Sequence, residues 1–213
     1  MKIAIAGGHG QIALRLTRLL SERGDSVLSL IRNPDHEADV REAGGEPVLC
    51  DLEQAGADEV AEAIDTADAV VFAAGAGPGS GEARKETMDR DGAVKLIEGA
   101  KAKGIDRYVI VSSMGADPNV ESDGFAAYQR AKGQADAAVS DSGLAYTIVR
   151  PTSLTDDPGT GKVEIGEGLS RSEVTRDDVA AVLVAVLDTP SSAGKTFELT
   201  AGETPVDEAV AAA

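Results

Sequence analysis

The chain has 213 residues, 42% of them hydrophobic, and this length and composition predict a single globular domain spanning residues 1–213. Its net charge of -17, from 37 acidic and 20 basic side chains, would repel nucleic-acid backbones and anionic lipid, so we expect no nucleic-acid or membrane partner. One cysteine, two histidines and no apolar stretch long enough to span a bilayer predict a cytoplasmic protein without disulfides or a conventional metal site.

Apolar runs rich in valine and isoleucine alternate with amphipathic stretches along the chain. The predicted strands are 2–6, 26–31, 46–50, 68–74, 107–113, 145–150 and 195–199. The predicted helices are 11–23, 35–44, 57–64, 83–103, 124–142, 176–187 and 205–211. This alternation predicts the α/β class, with a doubly wound parallel sheet covered by helices on both faces. After the sixth strand, residues 152–175 are predicted as loops with a short strand pair around 161–165, and 151–213 as a small C-terminal cap.

The first predicted strand leads directly into a glycine turn and a helix. The turn has the sequence Gly7-Gly8-His9-Gly10-Gln11-Ile12-Ala13. Gly7 permits a sharp turn, and Gly10 removes a Cβ where a pyrophosphate must approach the backbone. The N–H groups at the helix N-terminus can then bind phosphate oxygens. This order predicts a Rossmann-type sheet that binds a dinucleotide at Gly7, His9, Gly10, Gln11 and Ile12, and a tight turn without a ligand is the alternative.

The end of the second predicted strand bears on which dinucleotide binds. The strand ends in Arg32-Asn33, with no carboxylate before Asp35. An acidic residue here would bind the ribose hydroxyls of NAD, whereas a guanidinium suits the 2′-phosphate of NADP. The sequence therefore predicts NADP as the cofactor, with NAD as the alternative. A solvated surface arginine is a third interpretation of Arg32.

The third and fourth predicted strands end in residues that suit the rest of a dinucleotide. Asp51 can accept a hydrogen bond from the adenine amino group while Leu52 packs on the ring, and a helix N-cap is the alternative role for Asp51. Small residues end the fourth strand and let a cofactor pass close to the backbone; they are Ala73, Ala74 and Gly75. The glycine-rich residues 75–81 predict a flexible loop near the nicotinamide end.

Two serines and a tyrosine–lysine pair form a second group of functional candidates. Ser112 and Ser113 end the fifth predicted strand, while Tyr128 and Lys132 lie one turn apart on one helical face. A free phenol titrates near ~10, and a neighbouring ammonium favours the phenolate, which makes the phenol a better acid or base at neutral pH. A serine hydroxyl can hold a substrate oxygen beside the phenol. An exposed helical Tyr–Lys pair without a function is the alternative.

Together these motifs resemble the short-chain dehydrogenase/reductase superfamily, in particular its short atypical NAD(P)H-binding branch of epimerase-like and NmrA-like proteins. The resemblance covers roughly residues 1–200 and includes Val149-Arg150-Pro151. It implies that NADP lies across Gly7, Gly10, Arg32, Asp51 and Ala74, with Pro151 among the cofactor-binding residues. It also implies that Tyr128 is the acid/base, that Lys132 binds the nicotinamide ribose, and that Ser113 orients the substrate.

The chain departs from this family at one position of the long central helix. Asp89 stands three residues before Gly92, where extended members carry an asparagine that orders a water beside the lysine. The C-terminal portion is also far shorter than in sugar-nucleotide epimerases.

These observations predict an NADP-dependent oxidoreductase-like protein that acts on a small carbonyl or alcohol through Ser113, Tyr128 and Lys132. Two other functions fit the same residues: a non-catalytic NAD(P) redox sensor that binds a protein partner, and a flavin or quinone reductase. The sequence identifies neither the substrate nor whether copies of the chain assemble.

Overall fold

The computed structural model describes residues 1–77, 80–121 and 125–213, apart from the side chains of Glu82 and Phe125. The strands are β1 (Lys2–Ala6), β2 (Ser26–Ile31), β3 (Glu46–Leu49), β4 (Ala69–Phe72), β5 (Arg107–Val111), β6 (Ala145–Pro151), β7 (Ser153–Thr155), β8 (Lys162–Gly166), β9 (Glu173–Thr175), β10 (Lys195–Ala201) and β11 (Thr204–Pro205). The α-helices are α1 (Gln11–Glu22), α2 (Glu37–Glu42), α3 (Ala57–Ile64), α4 (Glu82–Arg84), α5 (Gly92–Lys103), α6 (Phe125–Ser140), α7 (Arg176–Asp188) and α8 (Val206–Ala212). A π-helix at Lys85–Asp91 joins α4 to α5, and 3₁₀ turns lie at Pro34–His36 and Pro190–Ser192.

The main sheet has the strand order β11-β8-β10-β6-β5-β4-β1-β2-β3. The seven strands from β10 to β3 are mutually parallel, while β8 runs antiparallel to β10 and carries β11 at the sheet edge. The strand order reverses at β1, whose Ile3 pairs with Val27 on one side and Ala69 on the other. This is the doubly wound Rossmann arrangement, so the predicted fold class is confirmed, and its ligand crevice lies at the carboxyl ends of the strands beside β1.

Side chains of β1 alternate between the two faces of the sheet because successive residues of a strand point in opposite directions. Ile3 and Ile5 pack into the core that α1, α7 and α8 cover. Ala4 and Ala6 pack into the opposite core, beneath α3, α5 and α6. Burial on both faces explains the nearly continuous apolar sequence of the central strands.

Some predicted boundaries differ from the structure. Strands β4 and β5 end at Phe72 and Val111, so Ala73, Ala74, Ser112 and Ser113 lie just beyond the carboxyl ends of the strands. The predicted helix 83–103 is divided into α4, the π-helix and α5. Pro78 and Gly79 of the predicted glycine-rich loop, and the predicted first residue of helix 124–142, lie outside the described residues.

The predicted strand pair around 161–165 is wrong. This segment forms the single strand β8, which pairs with β10 through Ile165 and Leu199 and with β11 through Val163 and Thr204. Both partner strands follow α7 in sequence, so the local pattern of the segment could not indicate them.

A buried carboxylate attaches the segment before β8 to the start of α7. Asp178 is 2% exposed and accepts hydrogen bonds from the Gly161 N–H at 2.8 Å, the Thr160 N–H at 3.0 Å and the Thr175 hydroxyl at 2.9 Å. Hydrogen bonds to a buried charged group stabilise the native state more than neutral ones, because the donors would otherwise be left without partners. Asp178 therefore holds the C-terminal strands against the helix layer.

We expect Asp178→Ala to lower the free energy of unfolding by about 2–3 kcal/mol, since it removes a charged acceptor from several donors at once. Urea unfolding followed by circular dichroism measures the change. Asp207→Ala is the control, because Asp207 is exposed in the first turn of α8. That control should change the stability by less than about 1 kcal/mol. Equal effects of the two substitutions would contradict the structural role of Asp178.

Candidate functional site

A cleft of about 320 Å³ opens at the carboxyl ends of β1, β2, β3 and β4. Nine of the residues predicted to bind a cofactor line it: Gly7, His9, Gly10, Arg32, Asp51, Leu52, Ala73, Ala74 and Gly75. The structure adds residues that the sequence interpretation missed: Leu30, Ile31, His36, Cys50, Ala76, Gly77, Arg84 and Met88. The predicted cleft at the strand ends is thus formed mainly by residues from four βα connections.

The glycine turn after β1 forms one wall of this cleft. Gly7 has a φ of +80°, and a Cβ there would lie 2.6 Å from the Ala74 Cα, so a larger residue would collide with the neighbouring strand end. Gly10 donates its N–H to the Gly7 carbonyl at 2.8 Å and precedes α1 without a side-chain cap. Gly10 therefore offers no side-chain acceptor to the first N–H groups of α1. An anion site at a helix N-terminus needs such N–H groups as donors to the anion.

Gln11 and Ile12 begin α1 but do not line the cleft. Gln11 is exposed and its side-chain oxygen accepts a hydrogen bond from Arg15 at 2.8 Å, while Ile12 packs against the α1 core. Any contact of these two residues with a cofactor would therefore involve their backbone N–H groups. Their assignment to the cofactor site stays a prediction.

His9 stacks on His36 at the cleft, with the ring centroids 3.6 Å apart and the planes at 12°. The Nε2 atom of His9 also lies 2.7 Å from a carboxylate oxygen of Asp39. No local sequence pattern indicated this pair, because the two rings come from different βα connections. Their stacked planes place two nitrogen-bearing rings at the edge of the cleft.

Arg32 lies at the cleft with its side chain 48% exposed, but it has an acidic neighbour. Its Nη1 is 3.4 Å from an Oε2 atom of Glu53, and the Nε of Arg84 is 3.3 Å from the same oxygen. Glu53 approaches from the connection after β3 and gives Arg32 an acidic partner that the residues beside Arg32 in sequence did not indicate. Two guanidinium groups instead share one carboxylate at this end of the cleft.

Asp51 and Leu52 occupy the connection after β3, as predicted. The Asp51 carboxylate accepts a hydrogen bond from the Glu53 N–H at 3.0 Å, and α3 begins only at Ala57. Asp51 therefore caps the turn at residues 52–54, as the alternative interpretation expected of the following segment, and Gly56 rather than Asp51 precedes α3. The Lys95 ammonium donates to the carbonyls of Leu52 at 2.7 Å and Glu53 at 3.1 Å, which fixes the connection to α5.

Lys132 is buried below the far end of the cleft. Its side chain is 4% exposed, and its Nζ donates to the carbonyls of Val111 at 3.2 Å and Ala74 at 3.4 Å. The same atom lies 5.9 Å from the centroid of the Tyr128 ring and 3.0 Å from the Asp89 carboxylate. Because Ala74 also lines the cleft, Lys132 connects Tyr128 to the cofactor crevice.

Burial by itself lowers the pKa of Lys132, because it disfavours the ammonium, but the Asp89 carboxylate and, after it, Tyr128 and Asp136 raise the pKa above its ordinary value. Lys132 is therefore an ammonium at neutral pH. A charged group in this position can stabilise negative charge on a neighbouring phenol or a bound ribose oxygen.

The two adjacent serines have different environments. Ser112 is buried and donates to the Asp136 carboxylate at 2.8 Å, and Arg150 donates to the same oxygen at 2.9 Å. Burial raises the pKa of Asp136 despite these two donors. Ser113 is only partly buried, and its hydroxyl makes a 3.5 Å contact with the Met114 carbonyl. Ser113 is thus the more accessible hydroxyl beyond β5.

Pro151 ends β6, is buried and does not line the cleft; its carbonyl accepts a hydrogen bond from the Met114 N–H at 2.9 Å. This contact fixes the segment after β5 that carries Ser113. Ser113, Tyr128 and Lys132 are likewise not among the residues that line the cleft. The site therefore consists of an open cleft and a polar group beside its Ala74 edge.

No group of three or more His, Cys, Asp or Glu side chains that could hold a metal ion occurs in the described part of the chain. Within residues 1–77, 80–121 and 125–213, no helix is long and apolar enough to cross a membrane.

A glycine turn, an uncapped helix N-terminus and a cleft at the reversal point of a Rossmann sheet define a dinucleotide-binding protein. The NAD(P)H-binding family model matches residues 7–190. The chain therefore belongs to this NAD(P)H-binding family, which confirms its resemblance to the atypical NAD(P)H-binding branch.

Several known proteins are similar to this chain over nearly its whole length. A Bacillus subtilis protein named as an uncharacterized sugar epimerase, YhfK, is 38% identical over 212 residues, which are 99% of each chain. A solved structure from Bacillus halodurans, described as a candidate NAD-dependent epimerase/dehydratase, superposes with a TM-score of 0.93 at 35% identity and covers 100% of both chains. A short-chain dehydrogenase/reductase from Veillonella parvula in complex with NADP shares the fold, with a TM-score of 0.73, 20% identity and coverage of 97% of each chain.

Proposed function

We propose that this protein is an NADP-dependent oxidoreductase that acts on a small carbonyl or alcohol through Ser113, Tyr128 and Lys132. One observation carries the proposal: the buried Lys132 ammonium contacts the carbonyl of the cleft residue Ala74 and lies 5.9 Å from the Tyr128 ring centroid. A cofactor in the cleft and a substrate at Tyr128 would therefore meet at the Ala74 edge.

The residues at this edge suit general acid–base catalysis at a substrate oxygen. Tyr128 can exchange a proton with the oxygen, Ser113 can hold the oxygen by a hydrogen bond, and Lys132 can stabilise the charge that develops. When bound, the nicotinamide supplies or accepts the hydride. The protein groups then need only orient the substrate and move one proton.

The charges at the other end of the cleft support NADP over NAD. A 2′-phosphate is a dianion, and Arg32 and Arg84 provide two guanidinium groups that lie within 3.4 Å of one Glu53 oxygen. A phosphate could replace Glu53 as the partner of both. The Veillonella parvula protein, which shares this fold, was solved in complex with NADP.

The names of two similar proteins mention an epimerase, so sugars belong among the substrates to be tested. A panel of small aldehydes, ketones and sugars tested for NADPH oxidation would measure the activity. A protein that binds NADPH but turns over none of them would favour the redox-sensor function instead.

We expect Arg32→Ala to weaken NADPH binding by about 1.5–3 kcal/mol, since the substitution removes a hydrogen bond to a charged group. NADH binding should change little because NADH lacks the 2′-phosphate. Fluorescence titration with both cofactors measures the difference, and Arg18→Ala on the exposed face of α1 is the control. Equal losses for NADPH and NADH, or tighter binding of NADH by the unsubstituted protein, would contradict the assignment of NADP.

A further inference from the structure

Glu53 has a fixed backbone in the connection between β3 and α3. Its N–H donates to the Asp51 carboxylate at 3.0 Å, and its carbonyl accepts a hydrogen bond from the Lys95 ammonium at 3.1 Å. Asp51 belongs to the same connection, whereas Lys95 comes from α5. The Glu53 side chain therefore extends from a backbone that is held on both sides.

The Glu53 carboxylate contacts three side chains from other elements. Its Oε1 accepts a hydrogen bond from the Thr87 hydroxyl at 2.9 Å. Its Oε2 lies 3.4 Å from the Nη1 of Arg32 and 3.3 Å from the Nε of Arg84. The two arginines line the cleft and Glu53 does not, and the Glu53 side chain is only 17% exposed. The carboxylate therefore lies beside the cleft, while the two guanidinium groups face the cleft.

One carboxylate satisfies these two guanidinium groups incompletely. The Nε of Arg84 is buried and has no hydrogen-bond partner in the described part of the chain, since its approach to Glu53 is an ion pair without hydrogen-bond geometry. The contact between Arg32 and Glu53 is longer than the usual N–H···O distance of about 2.7–3.2 Å. Because each guanidinium has several N–H donors, both arginines keep donors for a further anion.

The charges of this group favour an anion, but Glu53 opposes it. Arg32 and Arg84 carry two positive charges and Glu53 carries one negative charge, so the three side chains have a net charge of one. A 2′-phosphate brings about two negative charges. The phosphate is attracted by the arginines and repelled by the carboxylate, and both interactions act at short range near the protein surface, where they are strong.

We propose that Glu53 determines how tightly the cleft binds the 2′-phosphate of NADP, because its carboxylate competes with the phosphate for Arg32 and Arg84. This inference rests on the proposed NADP-dependent function. Glu53 holds the two arginines at the cleft, and the phosphate must draw their charge away from it. The choice between NADP and NAD then depends on the balance of Arg32 and Arg84 against Glu53, and not on Arg32 alone.

Calorimetric titration with two adenosine ligands tests this role without hydride chemistry. Adenosine 2′,5′-bisphosphate carries the 2′-phosphate, and adenosine 5′-monophosphate is the same molecule without it. We expect Glu53→Gln to bind the bisphosphate about tenfold tighter or more than the wild-type protein does, the scale of one neighbouring charge near a protein surface. Binding of the monophosphate should stay unchanged.

Glu62→Gln is the matched control, because it makes the same change of charge on the exposed face of α3. That control should leave both affinities unchanged. Arg84→Gln should weaken binding of the bisphosphate, the opposite of the effect of Glu53→Gln. If Glu53 only held the connection after β3 in place, its replacement would instead weaken the binding of both ligands, and the proposed role would be wrong.

Thermal unfolding of each variant verifies that it is folded. If Glu53→Gln does not fold, Glu53→Ala removes the same charge without an amide group beside the arginines, and the same tightening is expected. Bisphosphate binding that is unchanged or weaker in the folded variant would overturn the role of Glu53.

The same titrations separate this inference from the proposed function. A wild-type protein that does not bind the bisphosphate, together with a Glu53→Gln variant that does, would support the role of Glu53 and contradict NADP as the cofactor. A wild-type protein that binds the bisphosphate, with no gain in Glu53→Gln, contradicts the role of Glu53 alone. Absence of binding in both proteins contradicts both proposals.

Discussion

Replacement of Tyr128 by phenylalanine should lower the rate of NADPH-linked carbonyl turnover by about 10²–10⁴-fold, the usual contribution of general acid–base catalysis. The substitution keeps the ring 5.9 Å from the Lys132 ammonium and removes only the hydroxyl, so NADPH affinity should stay nearly unchanged. Single-turnover kinetics with the best substrate of the carbonyl panel measures the chemical step apart from product release.

Tyr146→Phe provides the matched control, because it removes a hydroxyl from the partly buried tyrosine of β6. Its turnover should equal that of the wild-type protein. Full turnover in Tyr128→Phe would show that Tyr128 is not the acid, and it would favour the flavin or quinone reductase function, in which a cofactor carries out the hydride chemistry.

Gly10→Val should abolish measurable NADPH binding while the protein still folds. Gly10 has ordinary extended backbone angles, φ -63° and ψ 151°, which valine can adopt. A Cβ there would lie 3.1 Å from the Gly7 carbonyl oxygen, so the neighbouring turn must shift slightly, and the added side chain would stand at a position that lines the cleft. A branched side chain would thereby occupy the position of the pyrophosphate.

Isothermal titration with NADPH measures the loss, and thermal unfolding of the cofactor-free variant verifies the fold. Gly24→Val is the control for a glycine outside the cleft, although its φ of +92° costs some stability by itself. It should retain NADPH binding once folded. Tight NADPH binding by Gly10→Val would show that the pyrophosphate does not lie at this turn.

Much of the candidate site could be predicted because the sequence patterns that indicate it lie within a few neighbouring residues. The glycine turn lies between β1 and α1 as expected, and Tyr128 and Lys132 share one face of α6 because four residues make about one helical turn. The positions of Arg32, Asp51 and Ala74 followed from the rule that parallel strands present their carboxyl ends at one edge. These predictions needed only strand boundaries and the parallel topology.

The contacts that the sequence did not indicate join distant parts of the chain. Glu53 reaches Arg32 across 21 residues of sequence, and His9 meets Asp39 across 30 residues. The antiparallel partners of β8 come after α7, so the segment was predicted incorrectly as a strand pair. None of these contacts leaves a periodic pattern in the sequence.

The sequence by itself therefore determined the α/β class, the Rossmann order of elements, the glycine turn between β1 and α1 and the Tyr128–Lys132 spacing. Hydrophobic periodicity and turn chemistry encode these features within a few neighbouring residues. Only the tertiary structure decided which carboxylates meet Arg32 and Lys132, and that Arg84 lines the cleft. Such contacts join residues that are distant along the chain. They depend on the strand order, on the register of the π-helix and on the side-chain conformations that close packing selects.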